Sequence, residues 1–313
     1  NRPSNPHKYF QNKVESNLVY NYCMSNMNAG FQHIAIAPHP EISIAIQESE
    51  HIVAYLRDRN IHVSSGLLDD LKLRAQIASG EFDLLVALGG DGTMLRAGQI
   101  CGPHGVPILG INMGRFGFLM EIRQDGWKKA LDRILAGDYW LEHRMMLMAE
   151  QVRDSNILGE WDVVNEAVVS RGNIVRPVQM EVSVDHRFLA TYVADGMIAA
   201  TPTGSTAYSL AAGGPILPPE LRNILLVPIA PHLSIDRGIV LAEGSSVAIE
   251  VHTNHQAVLS VDGQLPIDLM DGDCVNVRAS NHRLEFVRFQ DPGYFYRNLT
   301  PHMNQNPSTG NTR

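Results

Sequence analysis

The sequence predicts an α/β N-terminal domain on a mainly parallel sheet, followed by an all-β C-terminal domain. Three observations carry this reading. Leu84-Leu85-Val86-Ala87-Leu88 is apolar without alternation, as in a strand buried on both faces, and it ends abruptly in Gly89-Gly90-Asp91-Gly92-Thr93. Up to about residue 124, strand-like and helix-like segments alternate. Beyond a linking helix near Trp127–Leu135, apolar residues recur at every second position instead.

Taken in order, Ile34–Pro38 reads as the first strand. Ser43–Arg59 carries Ile46, Ile52, Val53 and Leu56 at helical spacing, and Leu67–Ala78 reads as a second helix. Phe82–Leu88 is the buried strand. A helix over Met94–Ile100 is expected just after the GGDGT turn, and Val106–Ile111 is again a strand. This order implies right-handed βαβ units. Met180–Val184, Ser246–Val251 and Leu284–Phe289 then alternate as half-buried strands, and Asp185-His186-Arg187 sits between two runs like a hairpin turn. Such strands predict antiparallel β as a sandwich or stacked sheets, with the ligand cleft between the two halves.

The expected divisions are a disordered extension over residues 1–30, with the natural start at Met27, an N-terminal domain over 31–124, and a β-rich domain over 125–290. A segment at 291–300 returns to the first domain, and a tail at 301–313 is disordered. The chain has 313 residues, 44% of them hydrophobic, in the range of a globular protein. Its net charge of −8 argues against a broad nucleic-acid surface. No apolar run would span a bilayer and no signal peptide opens the chain, so a cytoplasmic location is expected. Cys23, Cys101 and Cys274 show neither metal-ligand spacing nor a disulfide framework.

Polar, glycine-rich clusters interrupt the apolar runs. Glycines at the end of a buried strand let the backbone approach phosphate. An aspartate among them repels that ligand, which makes sense if Asp91 handles a hydroxyl proton or helps hold a metal. The other clusters are GINMGRFGFL at 110–119, Asn165-Glu166, Asp195-Gly196, the run from Thr201 to Tyr208, Gly213-Gly214-Pro215, and Asp262-Gly263-Gln264. Each has a plainer structural reading. Asp91-Gly92 or Asp262-Gly263 could be a tight turn, Asn165-Glu166 a strand edge, and the hydroxyl run the cap of a helix starting near Ala207. Arg96, Arg171 and Arg176 could meet phosphate or form surface ion pairs. Neither Gly-x-x-x-x-Gly-Lys-Ser/Thr nor Gly-x-Gly-x-x-Gly is present, which excludes a P-loop enzyme and disfavours a dehydrogenase.

In this order, GGDGT, GINMGRFGFL, NE at 165–166, DGMIAATPTGSTAYSLAAGGPI at 195–216, PIAPH at 228–232 and VDGQ at 261–264 resemble the NAD kinase family. GGDG is shared with lipid kinases and a similar motif with sugar kinases, whereas TPTGSTAYSLAAGGP is far more specific. The resemblance implies a Rossmann-like α/β domain plus an all-β domain. It also implies phosphate transfer from ATP or polyphosphate to the 2′-hydroxyl of the adenosine ribose of NAD, with Mg²⁺ or another divalent ion, in a cytosolic homodimer or homotetramer. Asp91 then matches the proton acceptor and Gly92 a backbone contact. Arg96 and Arg176 match basic positions near phosphate, and Asn165 and Glu166 contacts to the adenosine moiety. Asp195 matches a contact given across a subunit interface. Thr206, Ala207, Tyr208, Ser209, Leu210 and Ala211 match the adenine-side loop, and Gln264 a late polar contact. Ala211 stands where many relatives have serine, Val193 where some have a basic residue, and Gly238 replaces a common proline. The alternatives are another GGDG-type lipid or sugar kinase, which would want an apolar groove, and a catalytically silent NAD(P)-binding regulator.

Overall fold

A computed structural model describes residues 30–114, 117–232, 235–291, 293–297 and 299. The expected disorder at 1–30 and 301–313 falls, Gly30 apart, outside them. The first half runs β1 His33–Pro38, α1 Ser43–Arg57, β2 His62–Ser65, α2 Leu71–Ala78, β3 Leu84–Gly89, α3 Asp91–Cys101, β4 Ile108–Asn112, β5 Ile122–Arg123 and α4 Trp127–Leu135. The second half runs β6 Trp140–Arg153, β7 Asn156–Val163, β8 Glu166–Arg171, β9 Val178–Val184, β10 Arg187–Ala194 and β11 Gly196–Ala200. A 3-10 turn over Thr203–Thr206 and α5 Tyr208–Ala211 follow, then β12 Asn223–Ile229, β13 Ile239–Ala242, β14 Ser246–His252, β15 Ala257–Val261, β16 Ile267–Leu269 and β17 Cys274–Arg288.

β1, β2, β3, β4 and β5 pair in parallel, as the βαβ rhythm predicts. Alternate residues of these buried strands serve opposite faces. Ile34, Ile36, Val86 and Leu88 pack with Trp127, Leu131 and Ile134 of α4 and Ile52 and Leu56 of α1. Ala35, Ala37, Leu85 and Ala87 pack with Leu73 and Ile77 of α2 and Met94 and Ala97 of α3. The parallel sheet does not stop there. β17 pairs in parallel with β4 through Phe286 and Ile108, then antiparallel with β6 and β14, so a single 11-stranded sheet crosses the whole chain.

A second, six-stranded sheet runs in the order β13-β12-β11-β8-β15-β16. It stacks on the antiparallel part of the first over a core that includes Met145, Leu147, Val169, Met180, Val182, Met197, Leu226, Ile249 and Val277. This is the stacked-sheet arrangement that period-two strands predict. Asp185 and His186 both have positive φ, as a tight β9–β10 hairpin requires.

Three local expectations need correction. α2 begins at Leu71, not Leu67, because the Asp70 carboxylate caps it by accepting from Lys72 N at 2.8 Å. α3 begins at Asp91 itself, so Asp91 stands in the first helical turn rather than in a turn ahead of a helix at Met94. Leu284–Phe289 is the end of the 15-residue β17, which stops at Arg288.

Candidate functional site

The site is built at the C-terminal end of β3. Gly90 is extended there and Gly89 passes so close to Thr93 that a Cβ would fall 2.1 Å from its hydroxyl. Asp91 therefore enters α3 at its first position, where the helix dipole favours a negative charge. Its carboxylate turns toward the loop after β4. Oδ2 accepts from Phe118 N at 2.8 Å and Oδ1 from Leu119 N at 3.2 Å. Gly117 permits this approach, since a Cβ on it would lie 2.2 Å from an Asp91 carboxylate oxygen. The start of that loop is tied down by Met113 N donating to Gly89 O at 2.9 Å.

Along α3, Gly92, Arg96 and Gln99 follow the i, i+4, i+7 spacing of one helix face, about 10 Å from end to end. On another face Gly98 packs close to Val164 and Leu284. Gln99 Nε2 donates to Asp262 Oδ2 at 2.7 Å, and Gln264 Nε2 donates to Gln99 Oε1. α3 thus bridges the first half and the hairpin turn between β15 and β16.

Asp262 and Gly263 both have positive φ, so the plain hairpin reading holds. The aspartate also organises the 164–166 backbone that α3 packs against. Oδ2 accepts from Val164 N at 2.8 Å, and Oδ1 from Asn165 N at 2.6 Å and Glu166 N at 3.1 Å. Burial raises the Asp262 pKa, and the three backbone donors and Gln99 oppose that rise. Glu166 is 7% exposed, and burial, then the Asp262 charge, push its carboxyl up to about 8 against the Tyr208 N–H. Glu166 is therefore mostly protonated at neutral pH. Its Oε2 is buried and has no hydrogen-bond partner among the described residues, a donor left for something else.

The hydroxyl-rich segment wraps this wall. Thr201 Oγ1 donates to Val164 O at 2.7 Å and accepts from Gly204 N at 3.0 Å. Gly204 sits so tightly on Asn165 that a Cβ would be 2.1 Å from its carbonyl oxygen. Ser205 bonds Pro202 O and Leu217 N, so its hydroxyl is structural. α5 is a single turn. Ser209 is buried in it, its hydroxyl unpartnered among the described residues, while Tyr208 and Ala211 are exposed.

The structure thus gathers Asp91, Gly92, Arg96, Gln264 and the Asn165–Glu166 wall, with the Tyr208 backbone against Glu166, along α3. Glu166 begins β8 and Asn165 just precedes it, rather than both lying within a strand. Thr206, Ala207, Ser209, Leu210 and Ala211 follow on the same wrapping segment. Asp195 is not gathered. It precedes β11 at the end opposite Thr201, about 20 Å away along an extended strand. There it pairs with Arg171 at 3.0 Å, the plain ion-pair reading. Arg176 is exposed in the loop leaving β8 at that same distal end.

Sequence reading missed Gln99, the two N–H groups of 118–119 and the part played by Asp262. Gln99 was within reach: a helix from Asp91 puts it on the face of Gly92 and Arg96. A cavity of about 1300 Å³ lies between α1 and α4 against Met113 and Gly114. Glu48, Asp58 and Asp125 line it together with His51, Arg123 and Lys128, so its walls carry both signs of charge.

Residues 9–139 match the ATP-NAD kinase N-terminal domain and residues 164–289 the ATP-NAD kinase C-terminal domain. An NAD kinase of Symbiobacterium thermophilum is 48% identical over 221 residues, 70% of this chain and 77% of that protein. An NAD kinase of Chloroflexus aggregans is 38% identical over 268 residues, 86% of this chain and 97% of that protein. Among solved structures, a yeast NADH kinase complexed with NADH superposes with a TM-score of 0.79 at 27% identity, over 90% of this chain and 89% of that one. An Archaeoglobus fulgidus NAD kinase in complex with ATP shares the fold, with a TM-score of 0.68 at 24% identity over 87% and 98%.

Proposed function

The chain belongs to the NAD kinase family and is an enzyme that phosphorylates NAD to NADP, and on that premise we propose that Asp91 is the general base, acting on the 2′-hydroxyl of the adenosine ribose. The observation that carries this is the Asp91 carboxylate held by Phe118 N–H and Leu119 N–H at the head of α3, the helix whose Gln99 bonds the Asp262 that in turn holds Glu166 N–H. An ionised carboxylate offers about four acceptor positions, and two remain for a ribose hydroxyl. As the bond to phosphorus forms, Asp91 takes the hydroxyl proton. Positioning and charge neutralisation supply most of the acceleration.

The other roles follow the walls. Arg96, on the helix face of Gly92, serves a phosphate. Protonated Glu166 donates to an acceptor of the dinucleotide, beside Asn165. Thr206 to Ala211 line the adenine side, and Gln264 adds a polar contact to the dinucleotide. ATP, named with the archaeal relative, or polyphosphate supplies the phosphate. No three His, Cys, Asp or Glu side chains converge as a metal site among the described residues. Mg²⁺ or another divalent ion, carried on the donor's phosphates, is part of the same proposal. Asp195 and Arg176 sit at the end of β11 and β8 opposite Thr201, and a homodimer or homotetramer in which Asp195 is contributed across the subunit interface is part of the same proposal. A cytoplasmic location completes the reading; no helix among the described residues is long and apolar enough to cross a membrane.

The test is NADP formation from NAD and Mg²⁺ with ATP or with polyphosphate, comparing wild type with Asp91→Asn. The variant should bind NAD as well as wild type by calorimetry and lose at least roughly tenfold in turnover. Normal turnover would refute Asp91 as base.

A further inference from the structure

A buried ionic cluster lies outside the residues assigned so far. Glu142 of β6 accepts from Arg144 Nη2 on both oxygens at 3.0 Å, from Arg288 Nε at 2.8 Å and from the Tyr294 hydroxyl at 3.1 Å. None of the four residues is more than 8% exposed. Burial alone would raise the Glu142 pKa, but Arg144 and Arg288 outweigh it and hold the carboxyl down to about 2. Arg288 is the last residue of β17, and Tyr294 belongs to the segment that returns after it.

The cluster reaches two loops of the site. Arg288 Nη1 donates to Leu119 O at 2.9 Å, and Leu119 N in turn donates to Asp91. Arg144 Nη1 donates to Thr203 Oγ1 at 3.3 Å, in the turn that wraps Asn165. Stability does not explain this arrangement. Apolar residues of similar volume often serve as well as buried ion pairs or better. Arg144 Nε and Arg288 Nη2 are buried without hydrogen-bond partners among the described residues, a cost that a purely structural cluster would not need.

We propose that Arg288 is a positioning residue for Asp91: by gripping the Leu119 carbonyl, it holds residues 118 and 119 where their N–H groups aim the carboxylate into the cleft. The inference rests on Asp91 being the base. A guanidinium fork satisfies Glu142 and Leu119 O together, whereas an ammonium on a flexible stem cannot keep both bonds in that geometry. Arg288→Lys therefore retains the charge and loosens the grip.

The experiment is a double-mutant cycle of Arg288→Lys with Asp91→Asn, reading kcat, the KM for NAD and the thermal midpoint. Arg288→Lys should lower kcat about tenfold and leave the KM for NAD within roughly threefold. In the Asp91→Asn background it should cost less than about twofold further, because a positioned group that no longer takes the proton gains nothing from being positioned. Equal fold losses in both backgrounds would overturn the proposal, as would a risen KM with kcat unchanged. If Arg288→Lys does not fold, Tyr294→Phe enters the same cycle. It should lower kcat roughly threefold beside Asp91 and not beside asparagine, and equal losses again overturn the proposal. Normal turnover by Asp91→Asn alone would remove the base and the proposal with it. A slow Asp91→Asn with multiplicative losses would remove only the positioning.

Discussion

Replacing Glu166 by glutamine should stabilise the ligand-free protein, increasingly so as pH rises. The ordinary carboxyl value is 4.5, and in the folded protein burial and then Asp262 push it to about 8. Above pH 4.5 the unfolded chain releases this proton while the folded chain keeps it. Raising the pH therefore favours unfolding, by about 1.4 kcal/mol per pH unit, until the folded group also ionises near pH 8. Glutamine mimics the protonated acid and titrates in neither state. The gap between variant and wild type should thus be near zero at pH 4, reach about 3 kcal/mol at pH 7, and level off near 5 kcal/mol above pH 8. Urea unfolding at pH 5, 6, 7 and 8 measures it, since groups common to both proteins cancel in the difference. A gap that does not change with pH, or a wild type that gains on the variant toward pH 8, would refute a buried, protonated Glu166.

Two further substitutions test the walls of the cleft. Gly117→Ala would drive a methyl group into the Asp91 carboxylate, so the loop must shift; turnover should fall at least about tenfold, with a stability loss of about 1–3 kcal/mol by thermal denaturation. Unchanged turnover would show that the 117–119 loop does not hold the acid. Gln99→Leu severs the links from α3 to Asp262 and Gln264; the KM for NAD should rise roughly three- to tenfold with a smaller change in kcat, as expected when a binding wall rather than the reacting group is loosened. A fall in kcat at constant KM would place Gln99 with the chemistry instead.

Much of this was legible before any coordinates. The unbroken apolar run before Gly89 marks a strand buried on both faces, and its glycines and aspartate mark the candidate site. Period-two alternation in Met180–Val184 and Ser246–Val251 marks strands with one face in a core. Alternation does not say which strand lies alongside. That β17 pairs with β4, and so joins the parallel and antiparallel halves into one sheet, comes from Phe286 meeting Ile108 across most of the chain.

The sequence by itself determined the element types and the family, and it singled out Asp91 as the candidate acid, because these depend on local periodicity and on motifs read along the chain. Tertiary structure alone decided which polar groups meet. Asp91 faces Phe118 and Leu119, Gln99 reaches Asp262, Arg288 grips Leu119, and Asp195 ends up at the far end of β11. The contacts of Asp91, Gln99 and Arg288 join residues well separated in the chain, and the direction in which a carboxylate points is set by the backbone N–H groups packed against it. The raised pKa of Glu166 has the same origin: burial and a neighbouring charge exist only once β8 and the β15–β16 turn have closed around it.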